Sequence, residues 1–425
     1  MKRFILLSLM MLTVLTSKAQ TLDECCKLAR ENYPEIRQYD LIAETEQYNI
    51  SNAARAWIPQ VVFSGQATYQ SATPTYPEAF NQMIAASGLD MSGVRKDQYK
   101  VAIDVSQNIW DGGQSKANRA IAEAEAAEQR SRVDVSLYDL QSRIQNLYFG
   151  ILLLDERVEQ TETLIEVLDA NLNRMRTYYK NGVAMQSDVD AIEAELLTAR
   201  QTLGQVVASR ASFRRMLEVF IGRPLTDETL TRPAMVEVAS RTSLRPELAM
   251  FDAQSNKLVA QRKAITSSVM PRFSAFAQGY YGYPGLDMFK SMVSSEWTLN
   301  AIVGVRMSWN FGAFYTQKNN LSKLDAAERH IAIQRDVFLF NTEMQTIQDD
   351  SEIARLQSAL EDDNRIVELR RSVRMAAESR LENGVIDVTD LLRKIADETT
   401  ATLSRSTHEI ELLQATYRLK TTLNQ

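Results

Sequence analysis

Residues 137–158 read LYDLQSRIQNLYFGILLLDERV, and their spacing decides the fold. Leu137, Leu140, Ile144, Leu147, Ile151, Leu154 and Val158 fall alternately three and four apart. The series continues through Thr161, Ile165, Leu168, Leu172, Met175 and Tyr179. A second run comes back through Val189, Ile192, Leu196, Ala199, Leu203, Val206, Arg210, Phe213, Leu217 and Phe220. A sustained seven-residue repeat holds one narrow apolar stripe against a partner helix, which is the signature of a coiled-coil seam. Asn181-Gly182-Val183 supplies a tight turn between the two runs. Together they predict a helical hairpin from Gln114 to Phe220. Its outgoing arm would be about 100 Å long at 1.5 Å per residue, far more than a compact globular domain uses.

The chain opens with Met1-Lys2-Arg3, an apolar run from Phe4 to Leu15, and Ser17-Lys18-Ala19-Gln20. A basic start, a short apolar core and a small-residue exit have the form of a secretory signal peptide, residues 1–19, cleaved after Ala19. No cysteine stands at the exit, which argues against a lipid anchor there. Cys25 and Cys26 follow on a predicted helix, and neighbours in sequence rarely bridge each other, so both are read as packed free thiols. No later stretch has the length and apolarity of a membrane-spanning helix. The net charge of −6 comes with no basic cluster, which argues against a nucleic-acid partner.

Outward from the hairpin, Thr21 to Trp57 reads as a helix, capped by Thr21 with Glu24 three residues on and broken at Tyr33-Pro34-Glu35-Ile36. From Gln60 the period changes to two. Val61, Phe63, Gly65, Ala67 and Tyr69 share one face, and Val62, Ser64, Gln66 and Thr68 the other. A polar loop is expected from about Ser71 to Asp97. A second alternating run puts Tyr99, Val101, Ile103, Val105 and Ile109 opposite Lys100, Ala102, Asp104, Ser106 and Asn108.

The order then repeats. Arg245-Pro246-Glu247-Leu248 echoes the break at Tyr33, and Met270-Pro271-Arg272 echoes Ile58-Pro59-Gln60. A third strand carries Phe273, Ala275, Ala277, Gly279 and Tyr281 on one face. After a loop with Pro284 and Gly285, a fourth places Leu299, Ala301, Val303, Val305 and Met307 opposite Thr298, Asn300, Arg306 and Ser308. Trp309-Asn310-Phe311-Gly312 echoes Trp110-Asp111-Gly112-Gly113, and Asn383-Gly384-Val385 echoes the first turn. The expected organisation is therefore two repeats, 20–235 and 236–425. The first has strands at about 60–70 and 98–110 and a coiled-coil hairpin at about 114–221. The second has strands at about 271–283 and 297–310 and a hairpin at about 313–424. The polar segment Gly222 to Ser243 joins them and is expected on the outside of the bundle.

Strands of about ten residues with one apolar face match membrane-spanning β-strands of ~9–11 residues. Aromatic residues near their ends, Tyr69, Tyr99, Trp110, Tyr281, Trp297 and Trp309, sit where interface girdles do. Four strands cannot close a barrel, and open edges are not tolerated in lipid. The missing strands must come from further copies: two copies give a filled barrel, three give twelve strands and room for a lumen.

These features are similar to those of the TolC-like outer-membrane efflux proteins, the outer membrane factors. The resemblance covers 20–425. It rests on the duplicated order, on the Trp-Asp-Gly-Gly strand exit, and on Gly182-Val183-Ala184-Met185-Gln186-Ser187-Asp188-Val189 matched by Gly384-Val385-Ile386-Asp387-Val388-Thr389-Asp390-Leu391. It implies a mainly α chain with a membrane β-barrel portion. The assembly would be a homotrimer, a 12-stranded barrel with four strands per chain, continued by a periplasmic α-helical coiled-coil barrel. It implies an outer-membrane location with a long periplasmic portion. The function implied is a passive conduit in a tripartite efflux or type I-like export system, working with a periplasmic adaptor and an inner-membrane RND or ABC-type transporter. The rival reading is an exported structural coiled-coil protein without a channel, which would gain nothing from four strands with aromatic ends.

Asn181, Gly182, Val183, Ser187 and Asp188, with Asn383, Gly384, Val385, Thr389 and Asp390, form the two expected adaptor-docking tips. Gly182 and Gly384 can adopt the left-handed conformation that ends a helix. Ser187 or Asp188, and Thr389 or Asp390, are expected to cap the returning helices. The resemblance also places Asp390 at the pore entrance, where the family has an acidic ring. One turn on, this chain has Arg393, so a mixed ring is expected. His330 and His408 lack metal-ligand spacing, Asp111-Gly112-Gly113-Gln114-Ser115-Lys116 falls short of a phosphate loop, and no catalytic set or cofactor is expected.

Overall fold

A computed structural model describes residues 20–88, 93–225, 230–238 and 240–425. The expected signal peptide lies outside the described residues. Element order is α1 (Leu22–Asn32), a 3-10 turn (Pro34–Arg37), α2 (Gln38–Arg55), β1 (Gln60–Tyr69), α3 (Glu78–Ala85), β2 (Asp97–Trp110), α4 (Gln114–Lys180) and α5 (Gln186–Ile221). The same order then recurs as α6 (Pro246–Ser268), β3 (Arg272–Tyr283), α7 (Met288–Val293), β4 (Thr298–Ser308), α8 (Gly312–Glu382) and α9 (Val388–Leu423). Thr21 caps α1, its hydroxyl accepting from the Glu24 N–H at 3.3 Å. The break at Tyr33 is the 3-10 turn.

Two short helices were not expected. α3 interrupts the segment read as a polar loop, and α7 the loop after Pro284. α3 starts behind Pro77, which suits a helix start because no N–H is needed there. Its Phe80, Met83 and Ile84 repeat at three and four.

The chain forms two compact units that cut across the two repeats. One takes residues 39–131 and 250–334 and holds the sheet. The sheet is antiparallel in the order β1-β2-β3-β4. Residues directly opposite in a ladder point to the same face, so the register fixes the faces of all four strands at once. Phe63 faces Ile103, Ile103 faces Gly279, and Gly279 faces Ala301. Val105, Ala277 and Val303 form the next row. Every apolar face read from the alternation falls on one side. On it Phe63, Leu299, Val303 and Val305 are 70–82 % exposed, far from the burial a soluble sheet would give them. Between Asn108 and Trp110 the register slips by one residue, which brings Trp110 opposite Phe273 on the apolar side. Trp297 flanks β4 and lies against Tyr99 and Tyr281, with ring centroids 6.2 and 5.3 Å away. At the other end Trp309 donates its indole N–H to the Val269 carbonyl at 3.0 Å.

The second unit comprises residues up to 38, 132–249 and 335–425. Its main core joins α1, α4, α5 and α9 through Cys25, Ile144, Tyr148, Phe149, Ile151, Leu217, Ile410 and Tyr417. Leu137, Leu140, Ile144, Ile151 and Val158 of the α4 heptads are buried. The joining segment was expected outside, but Leu225 and Leu230 belong to this core and the Thr231 carbonyl accepts from the Tyr148 hydroxyl at 2.6 Å. Cys25 and Cys26 are free thiols. Burial pushes them up to about 11 and about 12, so both stay protonated and unreactive at neutral pH.

Candidate functional site

The two hairpin turns lie in the helical unit and are built alike. α4 ends at Lys180, and Gly182 follows at φ 72°. The Gly182 N–H donates to the Tyr179 carbonyl at 3.0 Å, and the Val183 N–H reaches the Tyr178 carbonyl at 2.9 Å. At the end of α8, Gly384 has φ 66°; its N–H donates to Leu381 at 3.0 Å, and that of Val385 to Arg380 at 2.9 Å. Both are Schellman turns, in which a left-handed glycine lets the last carbonyls find donors. A Cβ on either glycine would meet nothing within 4 Å. Backbone conformation, not space, therefore demands glycine here.

The return helices differ from the expected capping. α5 is preceded by Met185, which has no capping oxygen. Asp188, inside the first turn, reaches back instead and accepts the Met185 N–H at 2.9 Å. In the second turn Asp387 occupies the cap and accepts the Asp390 N–H at 2.8 Å. Neither Ser187, Thr389 nor Asp390 caps. The reason is loop length: each helix begins one residue after Met185 or Asp387, which places Asp188 and Asp390 three residues past the cap. The first tip thus engages its acidic side chain in the turn, while the second leaves the Asp390 side chain without that task. Asp387 could have been found in the sequence from its offset, three after Gly384 as Met185 is three after Gly182.

Below the turns the tips are packed. Leu168, Leu172, Met175, Val189, Ile192, Leu196 and Val388 form one buried cluster. Ala377, Leu391 and Ile395 form a second, with Ile386 against it. Arg174 pairs with Glu382 at 2.9 Å and so links the ends of α4 and α8. Arg374 on α8 lies between Glu378, at 2.6 Å, and Glu398 on α9. Burial works against its charge, but the two carboxylates more than offset this and raise its pKa above the ordinary arginine value.

Above this frame three apolar side chains stand in solvent. Val183, Met185 and Val385 are 77, 74 and 69 % exposed. Asn181, Gly182, Ser187, Asn383, Gly384 and Thr389 lie around them, also exposed. Asp390 and Arg393 share a turn of α9 and approach only to 3.9 Å, both largely in solvent. A loose exposed pair of this kind contributes little by itself, so both side chains are free to reach other partners. His408, on α9, pairs with Asp363 on α8 at 2.6 Å.

Residues 26–223, most of the first repeat, match the family model described as outer membrane efflux protein. The solved structure of the outer-membrane channel OprN is similar over 95 % of this chain and 89 % of its own, at 15 % identity and a TM-score of 0.69. Residues 26–223 thus carry the outer membrane efflux protein pattern, and the chain as a whole has the fold of OprN. Its fold is also that of the outer membrane protein VceC of Vibrio cholerae, at 14 % identity, 95 % and 94 % coverage and a TM-score of 0.66. The open state of the MtrE outer membrane channel of Neisseria gonorrhoeae is similar at 13 % identity, 95 % and 88 % coverage and 0.64. No curated protein matches the sequence. The outer membrane efflux family is one of channel proteins rather than enzymes.

Proposed function

We propose that three copies of this chain form a passive export conduit across the outer membrane. Each copy supplies four strands to a 12-stranded barrel and two helical hairpins to a periplasmic tunnel. The observation that carries the reading is the division of the sheet. The rows of Phe63 and Ile103 and of Val105 and Val303 lie on one face, while Lys100, Asp104, Arg272 and Arg306 lie on the other, with Val62 and Ile302 among them. Lipid outside and water inside account for that division. The outer edges of β1 and β4 pair with no other strand among the described residues, as closure through neighbouring copies requires. On α8 the heptad residues Ile333, Val337, Phe340, Met344 and Ile347 stand 53–63 % exposed, a seam suited to a helix of the next copy.

The tips at Val183, Met185 and Val385 dock the helical hairpin of a periplasmic adaptor, which couples the conduit to an inner-membrane pump of RND or ABC type. Rigid Schellman turns present these apolar residues without an ordering cost on binding. Asp390 and Arg393 from three copies form a mixed ring at the tunnel entrance. The expected location is the outer membrane, with the helical unit in the periplasm.

The test is ethidium accumulation in the host after deletion of the gene. The reading expects raised accumulation, restored by the wild-type chain and not by one carrying Val183→Asp and Val385→Asp. Full restoration by that variant would remove the docking role of the tips.

A further inference from the structure

The charges on the inner face of the ladder are not balanced, Asp97 at the end of β2 lying on the apolar face and held by Arg95. Register places Lys100, Asp104, Arg272 and Arg306 on one face, three cations against one carboxylate. The carboxylate is engaged already: Gln278 donates its amide to Asp104 and accepts from Lys100 Nζ at 2.9 Å. Arg272 and Arg306 stand apart from that network. Arg272 is opposite Ser308, and Arg306 is opposite Ser274, one step along the same face. Both are exposed, and Arg306 lies over the Phe276 ring at 4.7 Å. Asp104 is paired with Gln278, two rungs beyond the row of Ser274. The nearby Asp111 is buried and spends its oxygens on Gly113 and Ser115 at the start of α4.

We propose that Arg272 and Arg306 form a cationic ring inside the barrel that favours anionic permeants over cationic ones. The inference rests on the conduit reading above, because it needs this face in water and repeated around a lumen. Three copies then place six guanidinium groups near the end of the sheet where α4 and α8 begin, with three Lys100 groups further along. Rings of arginine or lysine select anions by lowering the cost of their passage. Low-dielectric walls focus such a field and raise the local concentration of counter-ions. The exported class this favours is organic anions: carboxylates, sulfates and phosphates.

Ser274→Cys tests the field directly, on the full chain in intact outer membranes. The added thiol lies between the two arginines on the inner face. Its reaction rates with anionic 2-sulfonatoethyl methanethiosulfonate and cationic 2-(trimethylammonium)ethyl methanethiosulfonate are compared with those of free 2-mercaptoethanol. The ratio cancels any change in thiolate fraction, and the reagents enter from outside whether or not the entrance is shut. The wild-type chain is the control, its Cys25 being buried, its Cys26 partly buried, and both protonated. A preference for the anionic reagent about 5-fold or more above the free thiol is expected, since potentials in such clefts reach several kT. Arg272→Gln with Arg306→Gln should return the ratio close to that of the free thiol. Equal normalised rates, or faster reaction with the cation, would overturn the anion preference and leave the water-filled face standing. A thiol inert to both reagents would overturn the conduit reading, and this inference with it.

Discussion

Asp155 on α4 accepts the guanidinium Nε–H of Arg210 on α5 at 2.8 Å, within a mostly apolar seam. The second Asp155 oxygen is buried without a protein partner. Burial pushes the carboxyl above its usual range, with Arg210 and Arg214 opposing. A charged pair in a heptad seam fixes register at some cost in stability. Arg210→Met leaves the carboxylate stranded and should cost about 2 kcal/mol, less than a fully buried pair because both groups keep some solvent. Asp155→Leu with Arg210→Met should recover most of it. A raised folded pKa means that this group's contribution is present at low pH and lost as pH rises through the folded value. The Arg210→Met deficit should therefore be larger at pH 8 than at pH 5. Melting temperatures of the three proteins at both pH values measure this.

The two faces of the sheet should respond oppositely to charge. Val303→Arg, at mid-strand on the apolar face, should cost ~2–4 kcal/mol and reduce assembled protein. Ser64→Arg, on the inner face opposite Ala102, should assemble normally. Asn300 is a poorer control, although it shares the inner face. Its side chain accepts the Leu286 N–H at 2.8 Å and donates to the Thr298 carbonyl at 2.9 Å, which ties the outer loop. Recovery of protein from outer membranes decides, and equal recovery of Val303→Arg and Ser64→Arg would contradict the assigned faces.

At the tips, fold and docking should separate. Gly182→Pro or Gly384→Pro removes a turn hydrogen bond and forbids the positive φ. The fault is confined to the last turn, so outer-membrane protein should persist while efflux is lost. Gly182→Ala, which keeps the N–H and meets no steric obstacle, should cost only about 1–2 kcal/mol and retain part of the efflux. Accumulation assays beside immunoblots of the outer membrane separate the two effects.

The proposed entrance ring of Asp390 and Arg393 should be sensitive to either sign. Arg393→Ala leaves Asp390 carboxylates facing one another, and Asp390→Ala leaves the arginines so; both repel. Each single variant should raise basal conductance in planar bilayers, and the charge exchange Asp390→Arg with Arg393→Asp should lower it again. Unchanged conductance in both single variants would place the constriction elsewhere.

Much of this was readable from period alone. Seam residues such as Ile144 and Ile192 are buried where the heptads put them, and the strand faces follow from alternation, which only the slip before Trp110 breaks. What period does not carry is what depends on neighbours distant in sequence. Arg210 read as a gap in the stripe, and its partner Asp155 lies 55 positions earlier. The charge surplus of the inner face needed the sheet order, which brings Arg306 beside Ser274 and away from Asp104. α3 and α7 were hidden by Pro74, Pro77 and Pro284, whose turn signal outweighed a few residues of helical spacing. The caps were misplaced by two or three positions because serine, threonine and aspartate crowd the start of both returning helices.

The central claim is that this chain spans the outer membrane as an assembly of three. Electrophoresis of the purified outer-membrane fraction, with and without heating in dodecyl sulfate, tests it most directly. The account predicts recovery in that fraction as a species of three chains that collapses to the single chain on heating. Recovery as a soluble monomer from the periplasm would contradict it.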